Sequence, residues 1–133
     1  MAHRILIVDD EPDIRHLIGI TLESSGYQTV EAGKGAEALQ ALERESVDLA
    51  ILDIMMPDMD GWEVCRQIRS RQHTKNLPII ILTVRNQPLD RVIGIEVVHA
   101  DDYLTKPFER QELLNMVQRL LASAVSTPDG VAE

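Results

Sequence analysis

The stretch "LAILDIMMPDMDG", residues 49–61, decides how the chain folds. It opens on a continuous apolar run, 49–52, of the kind that is buried on both faces of a sheet. It then places a carboxylate, Asp53, at the end of that run and breaks at Met56-Pro57. From Asp60-Gly61 a helical segment follows, with Val64, Cys65 and Ile68 spaced to be buried. A strand covered on both sides that leads directly into a helix is half of a parallel crossover unit.

Working outward, runs rich in β-branched residues recur at 5–8 (ILIV) and 79–82 (IIIL), and shorter candidates lie at 27–32 (YQTVEA) and 102–105 (DYLT). Helical segments separate them. The first has Pro12 near its start, where a missing N–H does no harm, an apolar stripe at Ile14, Leu17, Ile18 and Leu22, and Gly26 as its stop. The second carries Ala38, Leu39 and Leu42; the fourth carries Leu89, Val92 and Ile93 and loses its period over 95–100. The last has Leu113, Met116, Val117, Leu120 and Leu121 at i, i+3, i+4, i+7 and i+8, a clear amphipathic pattern. Five strands alternating with five helices imply right-handed parallel crossovers, hence an α/β, flavodoxin-like, doubly wound five-stranded sheet in the order 2-1-3-4-5.

Composition sets the limits of function. The 133 residues are 44% hydrophobic, enough for one core, and residues 1–122 are expected to form the domain. Residues 123–133, "SAVSTPDGVAE", read as a flexible tail or linker stub. Aromatic residues are limited to Tyr27, Trp62, Tyr103 and Phe108, so packing must rely on aliphatic side chains. A formal charge of −9 disfavours direct binding to nucleic acid or an anionic membrane. The single Cys65 excludes an internal disulfide, and residues 5–8 are too short for a signal-peptide core, so a cytoplasmic location is expected.

In a sheet of this order, ligands sit beyond the carboxyl ends of strands one and three. The sequence puts Asp9-Asp10, Asp53, Thr83 and Lys106 at or just past strand ends. Three crowded carboxylates repel one another unless a cation sits among them. The donors on offer are hard oxygens, while His3, His16, His73 and His99 lack ligand spacing, so Mg²⁺ is expected rather than zinc. Magnesium beside a carboxylate and a lysine suits phosphoryl transfer. Asp53 would be the nucleophile that forms an acyl phosphate, with the ion, Lys106 and the Thr83 hydroxyl each meeting one phosphoryl oxygen.

Four signatures in order, "ILIVDDEP" (5–12), "LAILDIMMPDMDG" (49–61), "IIILTV" (79–84) and "DDYLTKPF" (101–108), resemble the receiver domain of two-component response regulators over about residues 3–122. Their spacing fits too, with 43 positions from Asp10 to Asp53 and 30 from Asp53 to Thr83. The resemblance implies that Asp53 accepts a phosphoryl group from a phosphohistidine on a sensor histidine kinase or phosphotransfer protein. It also implies a Mg²⁺ site built from Asp9, Asp10, Asp53 and the Met55 backbone carbonyl, with Lys106 pairing with the phosphate. Thr83 and Tyr103 match the two switch positions, and Lys106-Pro107 matches a cis peptide bond.

The chain departs from the family's pattern in two places. It reads "EVVHADDY" over 96–103, without the usual Gly and with Lys106 standing 23 positions after Thr83, one more than expected. It also carries Val84 after the switch threonine, where Ala or Gly is common. "DRVIGIE" (90–96) and Asp101 are similar to receivers that pair through the fourth helix, fifth strand and fifth helix, with Arg91, Glu96 and Asp101 in the pairing set. Met116 stands where an arginine is expected, so that homodimer network is incomplete, and the same face also suits a downstream effector.

Taken singly, each residue has an ordinary explanation: Asp53 a strand-ending acid, Asp9-Asp10 a helix cap, Lys106 a solvated loop residue, Tyr103 a core aromatic. Their joint occurrence at the right strand ends is what favours function. A phosphate-ester hydrolase with an aspartyl nucleophile would want a second acid where Met55 stands, and no glycine-rich loop after the first strand supports a dinucleotide site. The remaining alternative is a phosphorylation-independent binding module on the same fold.

Val84 yields the first prediction. If its side chain slows the approach of water to Asp53, aspartyl phosphate on the unmodified chain will hydrolyse more slowly than on a Val84→Ala variant, and equal decay rates in a phosphate-release assay would refute this.

Overall fold

Nine elements alternate along the described residues: β1 (Arg4–Val8), α1 (Pro12–Glu23), β2 (Gln28–Ala32), α2 (Gly35–Arg44), β3 (Leu49–Asp53), α3 (Gly61–Ser70), β4 (Ile79–Val84), β5 (Asp102–Lys106) and α4 (Arg110–Ser126). The structure is a computed structural model that describes residues 2–56, 59, 61–84 and 100–126. The five strands form one sheet in the order β2-β1-β3-β4-β5, every neighbouring pair parallel, as the alternation of elements predicts. The expected fourth helix, with Leu89, Val92, Ile93, Arg91, Glu96 and His99, lies outside the described residues, as do the side chain of Val84 and residues 127–133.

The pleat explains the two cores. Leu6, Val8, Ala50, Leu52, Ile79 and Ile81 join Ala38, Leu42, Val64, Cys65 and Ile68, so one face of the sheet is covered by α2 and α3. Ile5, Ile7, Leu49, Ile51, Ile80, Leu82 and Leu104 join Ile18, Leu22, Leu113, Val117 and Leu121, so the other face is covered by α1 and α4. Alternate residues of one apolar run thus serve opposite layers, which is why the central strands carry no polar face. Cys65 is fully buried among the first set, and burial pushes its thiol up to about 11, as suits a small core residue.

Helix α1 corrects one detail. Ile18 and Leu22 are buried and Ile14 is half-buried, but Leu17 is 53% exposed. A step of one residue turns a helix by about 100°, so Leu17 lies well round from Ile18, and Thr21 takes the buried place instead. Pro12 occupies the first turn. The helix ends at Glu23, and the turn after it closes with the Gly26 N–H on the Glu23 carbonyl and, past the φ of 95° at Gly26, the Tyr27 N–H on that of Leu22. At the other end of the described residues, α4 runs to Ser126. No helix among the described residues is long and apolar enough to cross a membrane.

Gly61 fixes how β3 is followed by α3. Its N–H donates to the Ile54 carbonyl at 3.1 Å, fastening the start of α3 to the end of the strand. A Cβ there would lie 2.6 Å from both the Asp53 carbonyl oxygen and the Ile54 Cα, contacts that backbone cannot relieve by changing rotamer. Replacing a helical glycine by alanine ordinarily gains up to about 1 kcal/mol, whereas overfilling a tight site costs about 1–3 kcal/mol. Gly61→Ala is therefore expected to be net destabilising in urea unfolding, and an unchanged or raised midpoint would contradict the close approach.

Candidate functional site

The register brings the charges together. Val8 lies opposite Leu52, so Asp9 and Asp53, each one residue further on, face each other across β1 and β3. Asp53 is level with Leu82, and Leu82 with Leu104, which sets Lys106 two residues past that level on β5. Asp9, Asp53 and Lys106 are in phase with Ile7, Ile51 and Leu104, all in the core on the α1 and α4 side, so the three side chains leave the sheet on one face. The lysine stem is long enough to cross the end of β4.

The result is a compact charged cluster. Lys106 Nζ lies 3.0 Å from Asp9 Oδ2, 3.4 Å from Asp53 Oδ2 and 3.5 Å from Glu11 Oε1. Asp53 Oδ1 accepts the Met55 N–H at 3.0 Å, and Asp9 Oδ1 accepts the Glu11 N–H at 2.9 Å. Asp9 is wholly buried and Asp53 nearly so, while Asp10 is exposed. One carboxylate oxygen from each of Asp9, Asp10 and Asp53 lies within 4.8 Å of the others.

These surroundings perturb the site. Burial pushes the Asp53 carboxyl up from 3.8 to about 6, opposed by the Met55 N–H, reinforced by the charge of Asp9 and opposed again by Lys106. For Lys106, burial favours the neutral amine, but its close ion pair with Asp9 and the charge of Asp53 outweigh burial and raise its pKa.

A divalent cation fits this set on the structure's own terms. All the donors are hard oxygens. Asp9 Oδ2 is sealed from solvent and has no hydrogen-bond donor among the described residues, for its contact with Lys106 is an ion pair without hydrogen-bond direction. Such an oxygen is under-satisfied until something positively polarised is placed before it.

The other residues singled out from the sequence fall nearby. Thr83 is buried at the end of β4, one position past the residue level with Asp53. Tyr103, two residues earlier on the same face of β4's partner strand, is 6% exposed and belongs to the core on the α2 and α3 side. The Met55 side chain is exposed, and the Lys106–Pro107 bond is cis. Asp101 is engaged within the chain: its Oδ2 accepts from Arg69 Nη2 at 3.0 Å and from the Ile79 N–H at 2.8 Å. Two neighbours of the site were not picked out from the sequence. Glu11, the N-cap of α1, is one; Arg15, one turn into α1, is the other, and no local pattern in the sequence marks it.

Residues 5–118 match the family described as the response regulator receiver domain. The chain belongs to this family. The transcriptional regulatory protein GltR of Pseudomonas aeruginosa is 48% identical over 123 residues, covering 92% of this chain and 50% of that protein. Among solved structures, a response regulator from Chloroflexus aurantiacus superposes with a TM-score of 0.88 at 38% identity, covering 92% of this chain and 99% of that one. The receiver domain of sensor histidine kinase PA1611 from P. aeruginosa, with a magnesium ion coordinated in its active-site cleft, superposes at 0.84 with 33% identity over 92% of this chain and 99% of that one. The receiver spans about half the length of the curated relatives it matches.

Burial of Asp53 beside Asp9 predicts a pH-dependent stability. The folded receiver holds the Asp53 proton up to about pH 6, the unfolded chain only to about 3.8, so the folded state binds the extra proton in between. Stability of the metal-free receiver should fall as pH rises through that window and stay lowered above it. Asp53→Asn removes the penalty and should stabilise the metal-free receiver at pH 7.5 by on the order of 2 kcal/mol, a gain that disappears below pH 4. Urea unfolding in EDTA at the two pH values checks this, and a destabilised Asn variant at pH 7.5 would refute it.

Proposed function

We propose that Asp53 is the phosphoacceptor of this receiver and that Mg²⁺ is held by Asp9, Asp10, Asp53 and the Met55 backbone carbonyl. The observation that carries the reading is one lysine ammonium shared by two buried carboxylates from separate strands, beside a third acid and an orphaned carboxylate oxygen. When bound, the ion supplies positive charge that offsets the repulsion between the acids and the incoming phosphoryl group.

The chain's own residues do the rest. Asp53 Oδ attacks the phosphorus of a phosphohistidine on a sensor kinase or phosphotransfer protein as the bond to the imidazole nitrogen breaks, and that nitrogen leaves with the electron pair. Lys106 is already charged and within reach of Asp53, so it meets the transferred group without reorganising. Thr83 supplies a hydroxyl from the adjacent strand end, and Tyr103 is the aromatic whose burial is coupled to it. The domain, residues 1–122, thereby assists its own phosphorylation and dephosphorylation in the cytoplasm and presents a changed face to an effector or a second copy. For pairing, Asp101 would first have to leave Arg69.

Exposure to acetyl phosphate and Mg²⁺ should add one hydroxylamine-labile phosphoryl group, seen by intact-mass spectrometry. Asp53→Asn should abolish it, and Lys106→Ala should retain the modification while weakening any change in partner binding. No mass gain on the unmodified receiver would overturn the reading in favour of a phosphorylation-independent module.

A further inference from the structure

Asp9 and Asp53 are each fastened by a backbone N–H and by Lys106, whereas the Asp10 carboxylate has no hydrogen bond or ion pair among the described residues. Only the backbone it departs from is restrained, and that backbone is gripped. Arg15 Nη1 donates to the Asp9 carbonyl at 2.7 Å, the oxygen of the very peptide that links Asp9 to Asp10. The same guanidinium donates through Nε to Glu31 Oε1 at 3.0 Å, and Glu31 stands on β2, level with Ile7. Gly33 leaves the room: a Cβ there would come within 3.1 Å of Arg15 Nη1.

We propose that Arg15, braced by Glu31, is a positioning residue that fixes the Asp9–Asp10 peptide and so aims the Asp10 carboxylate at the cation site; this rests on the reading of that site given above. The planar fork is what the task needs, since two donors at a fixed angle hold the peptide oxygen and the brace together, while a lysine ammonium has no such geometry. The sign of the effect separates positioning from charge. A cation beside a metal site repels Mg²⁺, so losing Arg15 would strengthen Mg²⁺ binding if only Coulomb forces mattered. Loss of aim acts in the opposite direction, and groups that orient metal ligands are worth about 10–100-fold in affinity.

Calorimetric Mg²⁺ titration of the whole chain tests it, with acetyl phosphate labelling at saturating Mg²⁺ and thermal unfolding in EDTA alongside. Arg15→Met and Arg15→Lys should both bind Mg²⁺ about 10-fold more weakly, and Glu31→Gln about 3-fold more weakly. The double variant Arg15→Met with Glu31→Gln should be no weaker than Arg15→Met alone. Labelling rates at saturating Mg²⁺ should stay within about 2-fold of the unmodified chain, because the phosphoacceptor itself is untouched. Unchanged or tighter Mg²⁺ binding by folded Arg15→Met overturns the clamp; should that variant fail to fold, unchanged binding by Glu31→Gln overturns it instead. An unmodified chain that binds no Mg²⁺ brings down the site reading and the clamp together, whereas one that binds while the variants match it brings down the clamp alone.

Discussion

Placing Asp9, Asp10 and Asp53 within 4.8 Å of one another forces a choice on the chain, because three carboxylates in so small a space, two of them out of water, repel too strongly to stand without a countercharge. Lys106 supplies that countercharge from the far side of β4, and every other feature of this end of the sheet accommodates the arrangement. Burial keeps Asp53 hard to ionise even with Lys106 beside it, and Asp9 Oδ2 remains without a directed donor. A cluster left short of positive charge in this way has the charge and the hard oxygen donors that suit a divalent cation.

Topology makes the crowding unavoidable. In the order β2-β1-β3-β4-β5, the chain leaves β1 and β3 in opposite lateral directions, so no connecting segment covers the gap between their carboxyl ends. The loop after β3 is held back by the Gly61 contact with Ile54, and the loop after β1 is held by Arg15 on the Asp9 carbonyl. Both restraints act on backbone, and both lie where a side-chain hydrogen bond would have used up an oxygen the site needs.

Much of this was legible in the residues. Continuous aliphatic runs at 5–8, 49–52 and 79–82 identify doubly covered strands, and the strand period puts the acids and the lysine at their ends on one face, where the pairing register brings them together. Leu17 was misplaced because a helical stripe read from spacing cannot tell which of two flanking apolar positions turns towards the sheet, and Thr21 filled the place instead. The engagement of Asp101 by Arg69 joins residues 32 apart, so no local pattern records it. Arg15 is similarly silent: an arginine on an amphipathic helix reads as solvated until the end of β2 is seen beside it.

The stiffness that holds the charges together comes from elsewhere in the molecule. A buried aliphatic side chain contributes about 1.5–3 kcal/mol, and β1, β3 and β4 alone carry a dozen residues such as Ile7, Leu52 and Ile81 with no exposed surface. An electrostatic penalty on the order of 2 kcal/mol at Asp53 is small against that total, so the strands cannot relax apart to relieve it. That penalty, chiefly the cost of burying the Asp53 charge and secondly its repulsion from Asp9, is therefore carried at the strand ends. The same rigidity means that a change in charge at Asp53 can be answered only by groups at the edge of the sheet. Besides Asp9 across β1 and the Met55 N–H, the neighbours of Asp53 at that edge are Lys106 and Thr83, which stand on β5 and β4.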